Sequence, residues 1–250
     1  MNRLSKPATE FETGSGSQRA AVSTAGAPRV DRGSAYALVA PLHYEPNYAY
    51  PLIVWLHGPG DDEQQVKRLM PLVSMRNYVS VAPRGTVSLP VHPGTPPGYS
   101  WSQASDHQAA AEQRVIDCIE QAARSFNVAR DRIFLAGFES GGTMALRLAM
   151  SAPGRFAGVL SLGGQFPAGR NPLGRYAEAR RIPLFVACGQ DAVRYPADRV
   201  CDDLRLYHSA GMAVSLRVYP CGDEISPHML PDMDRWIMEQ IASIKQLADR

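Results

Sequence analysis

Apolar residues along the chain follow two patterns: short continuous runs, and longer stretches with apolar positions three or four residues apart. The continuous runs at residues 52–56 and 182–188 are typical of strands that are buried on both faces of a sheet. Residues 115–126 and 233–244 instead place their apolar side chains on one face of a helix. Strands that alternate with helices predict an α/β fold, with a mostly parallel central sheet flanked by helices.

Seven strands and five helices are expected from these patterns and from the Gly, Pro and Asp residues that separate them. Asp106 is the expected N-cap of one long helix. Residues 87–98 contain four prolines and two glycines, so we expect no regular element there. The expected strands are residues 34–42, 51–57, 79–82, 132–137, 156–162, 182–188 and 214–219, and the expected helices are residues 63–75, 106–127, 141–150, 197–210 and 229–247.

The length and local composition predict one folded domain behind a tail. The chain has 250 residues, which is enough for a single α/β domain with a full hydrophobic core. Residues 1–32 are rich in Ser, Gly, Thr and Ala and contain few large apolar groups, which predicts a flexible N-terminal tail. Residues 33–250 are expected to form the domain.

Charge and cysteine content narrow the class of protein. Lys and Arg number 26 against 24 Asp and Glu, and this net charge of +2 is too balanced to favour nucleic-acid binding. No apolar run approaches the roughly 20 residues that a membrane span needs, and no apolar signal core follows Met1. The four cysteines have no metal-ligand spacing, so we expect reduced thiols in a cytoplasmic protein.

One turn organises the rest of the chain. Gly137 and Gly141 stand two residues on either side of Glu139, between a strand-type run and a helix-type run. This layout is typical of a nucleophile elbow, in which a strand turns sharply into a helix and presents one side chain above the edge of the sheet. Glu139 occupies the position where a serine hydrolase carries its nucleophile.

Other polar segments follow the ends of neighbouring strands. Residues 58–59, Asp191 and residues 221–226 each come at or just after the end of a predicted strand, as Glu139 does. Ligands of parallel sheets bind beyond the carboxyl ends of the strands. We therefore expect these segments to meet in one cleft.

Five motifs, in this order and spacing, resemble the landmarks of the phospholipase/carboxylesterase family of α/β-hydrolases, over roughly residues 34–248. The resemblance implies an α/β-hydrolase fold that uses no cofactor and no metal. The motifs are His57-Gly58-Pro59-Gly60-Asp61, Ala82-Pro83-Arg84-Gly85, Leu135-Ala136-Gly137-Phe138-Glu139-Ser140-Gly141-Gly142, Cys188-Gly189-Gln190-Asp191 and Gly222-Asp223-Glu224-Ile225-Ser226-Pro227.

The resemblance also assigns a role to each position of the family's Ser-His-Asp triad. Glu139 stands at the position of the nucleophilic serine, and Asp223 stands at the position of the histidine base. Asp191 stands at the position of the aspartate that would orient the base, so this member of the triad is retained. His57 shapes a loop in this family and is not the base.

This chain also departs from the family pattern at the oxyanion hole. Ser140 would supply one backbone N–H donor, and the residue after His57-Gly58 would supply the other. That residue is Pro59, which has no N–H. Loss of one oxyanion donor costs roughly 3 kcal/mol of transition-state stabilisation. Nucleophile, base and one donor are replaced together, which favours the loss of serine-esterase chemistry.

A rival register would make Ser140 the nucleophile and His228 the base. That register loses the first glycine of the elbow, and we expect it to turn the Ser140 side chain away from the cleft. His228 lies five residues beyond the family's position for the base, at the start of the last helix. An imidazole must come within hydrogen-bond reach of the nucleophile, and so large a shift disfavours this pair.

Three carboxylates, Glu139, Asp191 and Asp223, would then meet in the cleft, where like charges need compensation. One carboxyl group could hold a proton with a raised pKa. Alternatively, a nearby arginine such as Arg84 could pair with the carboxylates, or they could bind a hard cation such as Mg²⁺ or Ca²⁺.

We expect a pseudoenzyme: a hydrolase-fold protein that binds a small molecule or a protein partner, with a homodimer left open. One alternative keeps catalysis and uses Glu139 as a carboxylate nucleophile. The other alternative is the carboxylesterase that uses Ser140 with His228.

Overall fold

The computed structural model describes residues 35–90, 97–169 and 176–248, so the predicted tail at residues 1–32 lies outside the described residues. The strands are β1 (Tyr36–Val39), β2 (Tyr50–Leu56), β3 (Val79–Pro83), β4 (Val87–Leu89), β5 (Gly98–Ser100), β6 (Val128–Phe138), β7 (Gly158–Leu162), β8 (Leu184–Gly189) and β9 (Val214–Tyr219). The helices are α1 (Gln65–Val73), α2 (Ser105–Ser125), α3 (Ser140–Ser151), α4 (Tyr176–Ala179), α5 (Ala197–Ser209) and α6 (Met229–Ala248).

Seven of these strands form the central sheet, in the order β1-β3-β2-β6-β7-β8-β9. β1 pairs antiparallel with β3, and the other neighbours in the sheet are parallel. The mostly parallel sheet flanked by helices that the sequence predicts is therefore confirmed. Because β2, β6, β7 and β8 run side by side in one direction, the loops that follow them open at the same edge of the sheet.

Two hydrophobic layers cover the two faces of the sheet. Alternate residues of β2 divide between them: Leu52 and Leu56 pack with α2 and α3, whereas Ile53 and Trp55 pack with α1 and α6. All four side chains are fully buried. A strand with helices on both faces needs apolar residues at every position, and this explains the continuous apolar run.

The connection from β6 to α3 is packed closely against β2. A Cβ atom built on Gly141 would lie 2.1 Å from the carbonyl oxygen of Leu56 in β2. A Cβ atom on Gly137 would lie 2.5 Å from the carbonyl carbon of Gly141. These backbone atoms cannot move aside as a flexible side chain could, so both positions require glycine. The first turn of α3 is thereby fixed directly above the end of β2.

Three local expectations differ from the structure. We expected no regular element in residues 87–98, but both ends of this segment belong to strands, β4 and β5, which pair as an antiparallel ribbon. Residues 91–96 lie outside the described residues. Asp106 is not the N-cap of α2: Ala104 holds that position without a side-chain cap, and Asp106 lies in the first turn, where its charge favours the helix dipole. The short helix α4 was not expected. No helix in the described parts of the chain combines the length and the apolar character needed to cross a membrane.

Replacing Gly141 with alanine tests the close approach of α3 to β2. We expect Gly141→Ala to lower the free energy of unfolding in urea by about 3 kcal/mol or more, because its Cβ would overlap backbone that has no room to move. Gly154→Ala is the matched control, since a Cβ there meets no atom within 4 Å. It should change stability by less than about 1 kcal/mol. Equal effects of the two substitutions would contradict this packing.

Candidate functional site

Glu139 forms the turn between β6 and α3. Its backbone has φ 46° and ψ −113°, and His43 is the other non-glycine residue with positive φ in the described part of the chain. Residues that carry a Cβ atom seldom adopt this backbone conformation, which costs on the order of 1–3 kcal/mol. The backbone N–H of Glu139 donates to the Leu162 carbonyl and its carbonyl accepts from the Thr143 N–H, so the surrounding structure holds the strained turn.

The Glu139 carboxylate is buried and is paired with an arginine. Glu139 is 8% exposed, and both of its carboxylate oxygens accept from Nη1 of Arg194, at 2.8 and 2.6 Å. The Arg194 side chain is 64% exposed and covers the carboxylate from the solvent side. Hydrogen bonding to Glu139 raises the pKa of Arg194. The arginine therefore compensates the buried negative charge.

Arg84 does not play the role that the sequence suggested for it. Its guanidinium donates to both carboxylate oxygens of Glu63, at 2.7 and 2.6 Å, and lies over the ring of Tyr99. Glu63 is almost fully buried and binds Arg84 through two nitrogens. Because this two-nitrogen contact is made with Glu63, Arg84 does not pair with the cleft carboxylates. An arginine does pair with Glu139, as the sequence suggested, but it is Arg194 and not Arg84.

Asp223 is engaged with the backbone rather than with the cleft. Its two carboxylate oxygens accept from the N–H groups of Val193 and Arg194, at 3.1 and 2.9 Å. This pair of hydrogen bonds fixes the loop after β8. Asp223, which we predicted at the position of the base, thus positions the residue that binds Glu139, which we predicted at the position of the nucleophile.

Asp191 lies apart from this pair. It is exposed, its backbone N–H donates to the Cys221 carbonyl, and it does not line the cavity at Glu139. Of the three carboxylates expected to meet in one cleft, Glu139 lines this cavity, and Asp191 and Asp223 do not. Within the described ranges, no group of three or more His, Cys, Asp or Glu residues is placed to hold a metal ion. The placement of Glu139, Asp191 and Asp223 gives no support to the cation hypothesis.

A cavity of about 290 Å³ opens in front of Glu139. It lies where α3 begins and where the loops after β7 and β8 come together, at the carboxyl ends of the strands. This is the place that the parallel sheet predicts for a ligand. Its lining includes Gln103, Glu139, Ser140, Phe166, Ala168 and Arg194.

Ser140 is among the residues that line this cavity, whereas Ser100, which its hydroxyl contacts, is not, so the expected direction of the Ser140 side chain stays a prediction. Its hydroxyl lies 3.1 Å from the Ser100 hydroxyl, and neither group is a general base. His228 is exposed just before α6 and does not line the cavity, and its backbone N–H donates to Ser226 Oγ. The structure brings Ser140 to the site without bringing His228 to it.

His57 has a structural role. It is fully buried, and its Nε2 accepts from the Gly85 N–H at 2.8 Å, so Nδ1 carries the proton and donates to the Gly58 carbonyl at 2.8 Å. Burial lowers the pKa of His57. Both ring nitrogens are used, and a neutral imidazole in this position holds the loop shape instead of accepting protons from a substrate.

The loop expected to complete an oxyanion hole offers few free donors. Pro59 is exposed and has no N–H, while the N–H of Gly58 donates to Gln65 Oε1 at 3.3 Å. Ser140 begins α3, where backbone N–H groups have no partner within the helix. The Ser140 N–H is therefore the one donor that this arrangement keeps.

Three residues of the site were not found from the sequence: Arg194, Gln103 and Arg147, whose guanidinium contacts two parts of the cavity wall. Arg194 follows Asp191 in the loop after β8. A search of that loop for a cation, prompted by a carboxylate at the elbow, would have found it. Gln103 and Arg147 carry no sequence signal, because only the packing of α3 against the segment before α2 brings them together.

Replacing Glu139 with glycine or with alanine tests the strain in the elbow. Both variants lose the carboxylate, but only glycine adopts the local φ and ψ without strain. We expect Glu139→Gly to be more stable than Glu139→Ala by about 1 kcal/mol in urea unfolding.

Glu112 in α2 is the matched control position for that comparison. Its backbone is helical, so glycine there should be less stable than alanine by about 1 kcal/mol. The two positions should therefore give opposite signs. The same sign at both would show that Glu139 is not strained.

Comparison with known proteins agrees with this architecture. A family model described as Phospholipase/Carboxylesterase matches residues 45–241. The chain is 34% identical over 125 residues to the putative esterase NocK of Nocardia uniformis subsp. tsuyamanensis, a match that covers 47% of this chain and 34% of that protein. The chain thus spans about a third of that relative's length.

Solved structures share the fold. A carboxylesterase from Mesorhizobium loti superposes with a TM-score of 0.68 at 18% identity, covering 85% of this chain and 98% of that one. Acyl-protein thioesterase 2 of Zea mays superposes with a TM-score of 0.60 at 18% identity, covering 82% of this chain and 98% of that one. With the family model matching most of its length, this chain belongs to the phospholipase/carboxylesterase family of α/β-hydrolases.

Proposed function

We propose that this chain is a member of its family that has given up the Ser-His-Asp triad and binds a small molecule in the cavity at Glu139. One observation carries the proposal: the residue at the elbow is a buried carboxylate that is hydrogen-bonded twice by Arg194. The position from which a nucleophile would attack holds an ion pair.

Glu139 is poorly suited to act as a carboxylate nucleophile. Both of its oxygens accept from Arg194, and this stabilises the anion and lowers its reactivity toward an ester. A covalent intermediate would also need a base to activate water. Asp223, at the family position of the base, accepts from two backbone N–H groups instead. These contacts disfavour the hydrolase that uses Glu139.

The carboxylesterase that uses Ser140 has no histidine in the described cavity wall, and the carboxylate there, Glu139, is already bound by Arg194. Ser140 contacts Ser100, and the buried imidazole of His57 uses both of its nitrogens elsewhere. A positioned base contributes about 10²–10⁴-fold to such a reaction. Pro59 removes one oxyanion donor as well, at a further cost of roughly 3 kcal/mol. Together these losses leave a site that binds without turning over.

The cavity itself supports a binding role. The cavity lies beyond the carboxyl ends of the strands, where ligands of parallel sheets bind, and relatives named as carboxylesterase, acyl-protein thioesterase and putative esterase share the fold or part of the sequence. We propose that this chain retains the recognition of a small organic molecule there and has lost the chemistry.

The cellular setting and the partners are proposed on the same basis. All four cysteines are unpaired, and Cys118 and Cys188 are buried, which suits a reducing, cytoplasmic location. The balanced charge disfavours nucleic acid as a partner. A protein partner or a homodimer would use an outer face of the domain.

Covalent labelling tests the loss of catalysis. We expect the wild-type chain neither to react with a fluorophosphonate probe nor to hydrolyse p-nitrophenyl acetate or butyrate above the rate of a heat-denatured sample. Intact-protein mass spectrometry would report one added probe on any activated serine. Ser140→Ala is the matched control variant, because it removes the only serine of the elbow. Labelling and turnover that disappear in Ser140→Ala would establish the carboxylesterase that uses Ser140 and contradict the proposal.

A further inference from the structure

We propose that the cavity at Glu139 binds a small organic acid, an anionic carboxylate with a short apolar body, whose carboxylate is held by the free edge of Arg194. This inference rests on the proposed function and names the class of ligand for the same cavity. Four features of the cavity lead to it.

The first feature is the geometry of the contact between Arg194 and Glu139. Both hydrogen bonds come from one nitrogen, Nη1. The Nε and Nη2 atoms of Arg194 have no protein partner among the described residues, and the side chain is 64% exposed at the mouth of the cavity. Two parallel N–H groups on one guanidinium edge match the two oxygens of a carboxylate. Arg194 can therefore keep Glu139 and still bind a second carboxylate.

The second feature is a buried cation behind the cavity wall. Arg147 of α3 is 5% exposed, and its guanidinium donates to the side-chain oxygen of Gln103 at 2.9 Å and to the carbonyl of Ala168. Both acceptors are neutral, and both residues line the cavity. No acidic side chain pairs with Arg147 in the described ranges. A buried charge without a counter-ion is costly, and an anion in the adjoining cavity would offset that cost.

The third feature is the orientation of Gln103. Because Arg147 donates to its Oε1, the amide nitrogen Nε2 faces the other way and remains a donor. Arg147 is thus a positioning residue for Gln103. The cavity wall presents a guanidinium edge and an amide N–H, and both groups recognise an anion.

The fourth feature is the apolar remainder of the wall. Phe166 and Ala168 lie beside these donors, and the cavity holds about 290 Å³. That volume lies near the lower end of the range for small-molecule sites. Two further carboxylates stand next to the wall, but both are used by it: Asp203 accepts from the Phe166 N–H at 2.7 Å, and Asp223 accepts from the Arg194 N–H at 2.9 Å. A carboxylate on a short apolar body matches the free guanidinium edge of Arg194 and the size of the cavity.

Calorimetric titration with sodium hexanoate tests the proposal, with hexanamide as the neutral probe of the same shape and inorganic phosphate as a second anion. At constant ionic strength, hexanoate should bind wild-type protein at one saturable site, about tenfold or more tightly than hexanamide or phosphate. Arg194→Gln should weaken hexanoate by about tenfold or more, since it removes the charged fork. Glu139→Gln should bind hexanoate several-fold more tightly, because a negative charge is lost and Arg194 Nη1 is released.

Arg205→Gln is the matched control, because Arg205 is an exposed arginine that pairs with Asp202 on α5. It should bind hexanoate as the wild type does. The proposal is overturned if hexanoate does not bind, if hexanamide or phosphate binds equally well, or if Arg194→Gln and Arg205→Gln behave alike.

The same protein samples separate this inference from the proposed function. Wild-type protein that neither reacts with a fluorophosphonate nor binds hexanoate would overturn only the carboxylate site. Wild-type protein that reacts with the probe and also binds hexanoate would overturn the loss of catalysis, while the carboxylate site would stand as a product site.

Discussion

The close approach of α3 to β2 and β6 is the constraint on which the rest of the site depends. Gly141 has no room for a Cβ beneath the Leu56 carbonyl, and Gly137 has none beneath Gly141. With both backbones fixed, residue 139 must turn through a positive φ, and its side chain is presented to the cavity regardless of its chemistry. The scaffold that serves a serine in this family here presents a glutamate.

A carboxylate in that position creates an electrostatic problem that the neighbouring loop solves. An unpaired buried charge would cost several kcal/mol, and Glu139 is almost fully buried. Arg194 supplies the counter-charge from the loop after β8, and Asp223 holds that loop through two backbone N–H groups. Glu139 and Asp223, which we predicted at the positions of the nucleophile and the base, are therefore physically connected. Arg194 links them, because its side chain binds Glu139 and its backbone N–H donates to Asp223.

Much of the fold could be predicted, because it follows from local patterns. Continuous apolar runs gave the buried strands, and helical spacing gave the long helices, since burial on one or two faces leaves a periodic trace. The glycines of the elbow were informative because their spacing around residue 139 is a local motif, although the contact that requires Gly141 is with Leu56, far away in sequence. The ribbon of β4 and β5 was missed because the prolines between its two strands favour irregular structure and because its pairing depends on tertiary contacts.

The electrostatics of the site could not be predicted in the same way. Which arginine meets Glu139 depends on the distance between loops that are far apart in sequence, and Arg84 and Arg194 are equally plausible until the sheet is assembled. Arg84 is already bound by Glu63, which leaves Arg194. The exposed position of Asp191 and the presence of Ser140 in the cavity likewise depend on the course of the loops and on the first turn of α3.

We propose that the elbow is intact and that only the side chains it presents have changed. The most direct test is to restore the family's residues in the double variant Glu139→Ser with Asp223→His and to measure its reaction with a fluorophosphonate, with Glu139→Ala plus Asp223→His as the control. We expect covalent labelling of residue 139 in the first variant, slowed by the oxyanion donor that Pro59 lacks, and no labelling in the control. A folded Glu139→Ser, Asp223→His protein that stays unlabelled would contradict it.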